Sequence, residues 1–249
     1  MPTPASFQST FASVADVEGW MSEGQARLLW DRASALGDGD LVVEIGSYHG
    51  RSAIVLATAA PAGAEVVAID PHAGNDRGPQ QIVGPAEEGQ RDHETYLANL
   101  RRAGVADRVR HVRLPSQEAG GSVDRPIQLL YIDGAHRFAP ARADIVDWGN
   151  RVAEGGTLLI HDSFSSVGVT LAIATTLLAG GRFRYVDRSR SMAEYRREDL
   201  SPTGRATNAL RQVAQVPWFA RNVAIKVLIV ARLGRLTRLL GHRDPTWPY

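Results

Sequence analysis

Two stretches combine residue types that can do chemistry. Residues 127–138 read IQLLYIDGAHRF and residues 157–162 read TLLIHD. In each, an apolar run ends in a carboxylate and an imidazole: Asp133 with His136, and His161 with Asp162. An unperturbed imidazole titrates near neutral pH, so His136 is a candidate general base toward a hydroxyl. Two further acids close or nearly close apolar runs, Glu44 in LVVEI and Asp70 in EVVAID.

The elements that must position these groups follow from alternating patterns between residues 21 and 200. Short runs rich in β-branched residues predict strands at 41–45, 65–70, 108–113, 127–133 and 157–162, the last entered through a turn at Glu154-Gly155-Gly156. Helical spacing predicts helices at 26–36, 53–60, 90–103, 140–150 and 169–180; Ser22 and Gln25 resemble a capping box before the first. Residues 183–188 and 191–198 predict a final antiparallel pair. Strands alternating with helices imply a mostly parallel α/β sheet covered on both faces. Right-handed crossovers then bring the carboxyl ends of the strands to one rim, where ligands bind. Glu44, Asp70, Asp133, His161 and Asp162 are expected on that rim.

Composition removes several classes. The chain of 249 residues has 44% hydrophobic and 22% charged residues, a globular balance. It has no cysteine, which excludes disulfides, a thiolate nucleophile and a cysteine-based zinc site. The first twenty residues lack a basic start and a long apolar core, so no secretory signal is expected, and no run reaches the roughly 18 apolar residues of a spanning helix. The expected location is cytoplasmic. The net charge of +1 is unevenly spread: residues 201–249 hold eight basic residues against Asp244 alone, which is +7 and leaves −6 for residues 1–200.

Between the first strand and its helix stands Glu44-Ile-Gly46-Ser47-Tyr48-His-Gly50. Gly46 permits a tight turn and Gly50 a close backbone approach to a ligand. The second glycine falls four residues after the first, so the stretch is not the G-x-G-x-x-G dinucleotide pattern. With Asp70 closing the next strand, it resembles the class I S-adenosylmethionine-dependent methyltransferases. The Ile-Asp-Gly-x-His stretch and the later His161-Asp162 resemble more narrowly the metal-dependent sugar O-methyltransferase branch, which acts on macrolide sugars and bacterial glycans.

That resemblance, over residues 40–197, implies a Rossmann-like sheet of seven strands with a terminal antiparallel pair. It implies a methyltransferase domain over 1–204 and a basic helical extension over 205–249. Glu44, Gly46, Ser47, Tyr48 and Gly50 would hold the methionine part of S-adenosylmethionine, Asp70 the ribose, and Ser116 and Glu118 would border the adenine. Ser116 and Glu118 equally fit a helix N-cap and a first-turn acid. The fourth and fifth strands would be neighbours, so that Asp133 and Asp162 face each other. Close like charges need neutralising, and a hard divalent cation does this. Asp133 and Asp162 match the family's metal-binding acids, with His161 as a third ligand where some relatives have an acid; Mg²⁺ is the first expectation and Mn²⁺ the second. The expected activity is methyl transfer to a hydroxyl of a sugar or glycoconjugate, with Asp133 and His136 catalytic and His136 the base. A metal-independent small-molecule methyltransferase, a dehydrogenase and a non-catalytic peripheral membrane protein stay open beside it.

Residues 71–89 form a long polar loop whose His72, Asn75, Asp76 and Arg77 suit a hydroxyl-rich acceptor, as a lid. The tail, at 222–240, is expected to be a helix. It is apolar almost all round from 223 to 231, then has Arg232, Arg235 and Arg238 on one side and Leu233, Leu236 and Leu240 on the other. Packing on the domain or on a second subunit, as a homodimer, is one reading. Shallow insertion at an anionic membrane at the inner face of the cell is the other. Nucleic acid is not an expected partner, because the basic segment has few aromatics.

Overall fold

The computed structural model describes residues 6–74, 86–243 and 248. Short apolar runs become the five parallel strands β1 (Leu41–Ile45), β2 (Glu65–Ile69), β3 (Val109–Val112), β4 (Ile127–Ile132) and β5 (Val152–Ile160). The pair β6 (Phe183–Ser189) and β7 (Met192–Arg197) completes a seven-stranded sheet in the order β3-β2-β1-β4-β5-β7-β6. Strand β7 runs antiparallel to both β5 and β6. All five residues of β1 are buried, as a strand covered on both faces requires. This is the expected Rossmann-like methyltransferase fold, with a helical C-terminal extension.

One apolar layer forms under helices α1 (Phe7–Ser13), α2 (Glu23–Ser34), α3 (Arg51–Ala59) and α4 (Ala86–Arg102). The other forms under α5 (Phe138–Asp147) and α6 (Val167–Thr176). The capping box at α2 is present: the Ser22 hydroxyl accepts from the Gln25 amide, and Gln25 Oε1 accepts from the Ser22 amide at 2.8 Å.

The register decides what meets at the rim. Val112, Ile69, Ile45, Ile132 and Ile160 form one row across the sheet. Backbone bonds carry the ladder one step further, from the amides of Asp70, Gly46, Asp133 and His161 to Val112, Ile69, Ile45 and Ile132. Gly46, Asp70, Asp133 and His161 therefore stand side by side. Glu44 lies inside β1 instead of at its tip, because the strand continues to Ile45.

Strand β5 starts earlier than expected. The Glu154-Gly155-Gly156 turn is absorbed into it as an irregularity opposite Ile127 and Leu129, with Gly155 at φ +73. The tail also differs from a single helix over 222–240. It forms α7 (Pro202–Val213), α8 (Val216–Val230) and a 3-10 helix over Gly234–Leu240. Helix α8 ends because Arg232 takes the left-handed conformation at φ +60; its amide bonds Ile229 and that of Leu233 bonds Leu228, a Schellman closure.

The tail helices dock on the sheet domain through buried amides. The Asn208 side chain bonds the Tyr185 amide at 2.7 Å and the Phe183 carbonyl at 3.0 Å, satisfying edge strand β6. From α8, Asn222 donates to the Phe164 carbonyl at 3.1 Å and Lys226 to the Ser165 carbonyl at 2.9 Å.

Candidate active site

The turn after β1 is shaped by two glycines. Gly46 has φ +84, and a Cβ there would lie 2.2 Å from the Asp133 carbonyl oxygen. The turn is thus pressed against the tip of β4 in a way that admits no side chain. Gly50, at φ +87, caps α3 and would bring a Cβ to 3.1 Å from the Tyr96 ring. Asp70 holds the same turn: its Oδ2 accepts from the amides of Ser47 at 2.8 Å and Tyr48 at 2.9 Å, and its Oδ1 from the His72 amide at 2.8 Å. Three backbone bonds to one carboxylate make Asp70 the anchor of the 46–50 turn, a task its position in the sequence did not reveal.

Glu44 is completely buried, and neither carboxylate oxygen has a hydrogen-bond partner. Burial pushes its carboxyl up to about 8. Ser52 and Ser47 oppose that shift without meeting hydrogen-bond geometry, and the nearby Asp133 and Asp70 add to it. An unsatisfied buried acid beside a glycine turn with no room for a Cβ fits a ligand that brings a cationic donor. The ammonium of a methionine moiety is such a donor. The Ser116 hydroxyl donates to Asp144 at 2.5 Å, and Glu118 is exposed at the start of a 3-10 turn.

On the other half of the rim, four titratable groups interlock. His136 Nε2 lies 3.0 Å from Asp162 Oδ2, and His161 Nδ1 lies 3.1 Å from Asp133 Oδ1 and 3.9 Å from Asp162 Oδ1. Tyr131 Oη donates to Asp133 Oδ2 at 2.8 Å. Burial works to lower the pKa of His136, but the bond to Asp162 and the charges of Asp162 and Asp133 outweigh it and raise it. Burial alone would raise the carboxyl of Asp162. The His136 bond, the charges of His161 and His136, and Lys226 together hold it well below the usual carboxylate range.

His161 is drawn both ways. Burial disfavours its charged form, while the charge and bond of Asp133 and the charge of Asp162 draw a proton to it, to about 9. A hydrogen bond with the Trp20 backbone favours the proton as well. Gln25 Oε1 accepts from the Ser22 amide, and its NH₂ group lies 3.2 Å from His161 Nε2 and 3.2 Å from the Ser191 hydroxyl.

Asp133 and Asp162 do not face each other as expected. The row pairs Asp133 with His161, and Asp162 follows one residue later in a left-handed conformation at φ +54. His161 thus stands between the two acids. Among the described residues no group of three or more His, Asp or Glu side chains is arranged to hold a metal ion. The carboxylate oxygens face His136, His161 and Tyr131 instead, so the ligand set Asp133, Asp162 and His161 does not fit a divalent cation as it stands.

Of the expected lid, Asn75, Asp76 and Arg77 lie outside the described residues. His72 is buried, its Nε2 2.8 Å from the Tyr48 carbonyl, where it supports the glycine turn. Sequence reading gave no site role to Tyr131, Gln25, Asn222 or Lys226. Tyr131 was findable, since residues two apart on a strand share a face. Lys226 carried a signal as the only lysine of the chain. Its loop partner was not readable.

Residues 43–163, slightly less than half of the chain, match a family model described as a methyltransferase domain. Solved structures with the same fold include cofactor-bound Rv0187 from MTB, with 20% identity over 78% of this chain and 88% of that one at a TM-score of 0.54. The O-methyltransferase TomG from Streptomyces achromogenes, in complex with SAM, has 16% identity over 78% and 89%, at 0.53. An O-methyltransferase from Bacillus cereus, in complex with SAH, has 17% identity over 77% and 89%, at 0.50. At these identities the structural likenesses establish the fold. With the family match they support a class I S-adenosylmethionine-dependent methyltransferase.

Proposed function

We propose that this protein transfers a methyl group from S-adenosylmethionine to a hydroxyl oxygen, with His136 as general base. The observation that carries the reading is the His136–Asp162 contact of 3.0 Å on the ligand rim of a methyltransferase sheet. The cofactor supplies an electrophilic methyl group on a sulfonium. Glu44 takes its ammonium, and Gly46, Ser47, Tyr48 and Gly50 form the turn against which it lies. His136 accepts the acceptor's hydroxyl proton at Nδ1, while its Nε2–H is donated to Asp162, which stabilises the resulting imidazolium. Asp133, which accepts from Tyr131 and lies 3.1 Å from His161 Nδ1, stands on the same rim. The solved O-methyltransferases of the same fold support the reaction class. The resemblance of the Ile-Asp-Gly-x-His stretch to sugar O-methyltransferases supports a sugar or glycoconjugate acceptor.

The test is S-adenosylhomocysteine release against a panel of sugar, glycolipid and phenolic acceptors, with and without EDTA. Turnover on a sugar hydroxyl that survives EDTA and is lost in His136→Ala is the expected result. Turnover that stops with EDTA and returns with Mg²⁺ would restore the metal-dependent reading. Binding of NAD in place of S-adenosylhomocysteine would remove the methyltransferase reading altogether.

A further inference from the structure

The 3-10 helix Gly234–Leu240 sorts its residues in a way an α-helix would not. With three residues per turn, side chains three apart stack along one edge. Thr237 and Leu240 form the inward edge, with Thr237 buried and its hydroxyl bonded to the carbonyls of Gly234 at 2.7 Å and His242 at 3.0 Å. Leu233, Leu236 and Leu239 form a second edge, 44% to 83% exposed. Arg235 and Arg238 form the third edge, with Arg232 in the left-handed turn just before the helix. All three are exposed, and none has a carboxylate within ion-pair distance among the described residues. The apolar edge is preceded along the chain by exposed Val227 and Val230 on α8.

We propose that this face, residues 227–239, docks on an anionic bilayer surface. A leucine edge beside an arginine edge has the two chemistries that such a surface offers: an acyl boundary for the leucines and lipid phosphates for the arginines. Nucleic acid would use the arginines and leave the leucines in water. A second copy on a two-fold axis would set one arginine edge near its equivalent, against like charge. The element lies on the surface and does not span the bilayer. Contrary to the expectation from the sequence, residues Pro202–Val230 are long and apolar enough for a span by length and composition, with an 18-residue window of mean hydropathy 1.3. Yet the Asn208, Asn222 and Lys226 side chains within them are bonded to the sheet domain. The expectation of a tail at an anionic membrane thus gains a specific geometry, and the proposal does not depend on the reaction catalysed.

Co-sedimentation of the full chain with phosphatidylglycerol–phosphatidylcholine vesicles, and with phosphatidylcholine alone, tests it. Binding is expected to the anionic vesicles and to weaken with salt, as the Debye length shrinks from about 10 Å at 0.1 M to about 3 Å at 1 M. Arg235→Gln with Arg238→Gln is expected to weaken partitioning by roughly 30-fold. Leu236→Ser with Leu239→Ser is expected to remove the salt-resistant remainder. Both pairs are exposed, so unchanged melting temperatures are expected and would show that the fold is intact. Full-length protein that stays in the supernatant with anionic vesicles at low salt overturns the proposal. So does a leucine pair that turns a dimer into a monomer while vesicle binding is absent, which would give the face to a second copy.

Discussion

A Cβ on Gly46 would stand 2.2 Å from the carbonyl oxygen of Asp133. The 46–50 turn and the tip of β4 are therefore in backbone contact, and the first cannot change without moving the second. Gly46→Ala places a side chain in a left-handed conformation as well as in this contact, and the conformation alone costs roughly 1–3 kcal/mol. A fall in melting temperature of about 4–10 °C is expected, together with lost S-adenosylhomocysteine binding in calorimetric titration. A folded variant with unchanged affinity would separate this turn from the cofactor.

His136→Ala is expected to lower turnover by roughly 10²–10⁴-fold with cofactor affinity retained. A rate near wild type would pass the base role to another group on the rim.

The raised pKa of His136 sets the sign of two pH effects. As a base it must be neutral, so the rate should rise with pH through a value above the ordinary ~6.5 of histidine. Asp162→Asn removes the raising charge, so this limb should move to lower pH while turnover falls. Stability runs the other way. The contribution of His136 is fully present below about pH 6.5 and is lost as pH rises through its folded pKa. That of Asp162, whose pKa is depressed, is present above about 3.9 and lost as pH falls. Melting curves across pH for both proteins check this: a wild-type slope above pH 6.5 that persists unchanged in Asp162→Asn would assign it elsewhere.

Glu44→Gln should separate stability from binding. The folded pKa of about 8 exceeds the unfolded value, so the wild-type protein loses stability as pH rises from about 4.3 through 8. The glutamine variant lacks this loss and should melt higher than wild type at pH 8–9, yet bind S-adenosylmethionine more weakly. Higher stability with full affinity would exclude Glu44 from the cofactor site.

Lys226→Met removes the bond to the Ser165 carbonyl and a positive charge near Asp162. The expected cost is about 1–3 kcal/mol in stability. Turnover should fall too, measured well below the melting temperature, because residues 162–166 carry the partner of His136. An unchanged turnover number would make α8 a purely structural brace.

The sheet was legible in the sequence because strand signals are local: apolar runs of about five residues, bounded by glycine and acid, gave β1, β2 and β4 nearly to the residue. The Ser22–Gln25 capping box was legible for the same reason, and so were the glycines of the 46–50 turn and the candidate base His136. What stayed hidden depended on register and on distant parts of the chain. A one-residue step along β5 puts His161, not Asp162, beside Asp133, and sequence spacing does not fix which residues of neighbouring strands align. Asp70 reads equally well as a ribose ligand or a turn anchor until the amides of Ser47 and Tyr48 are seen on its carboxylate. The tail needed tertiary contacts as well. A left-handed Arg232 and a buried Thr237 turn an apparent α-helix into a 3-10 helix, and with that change of period Leu239, not Leu240, stands with the exposed leucines.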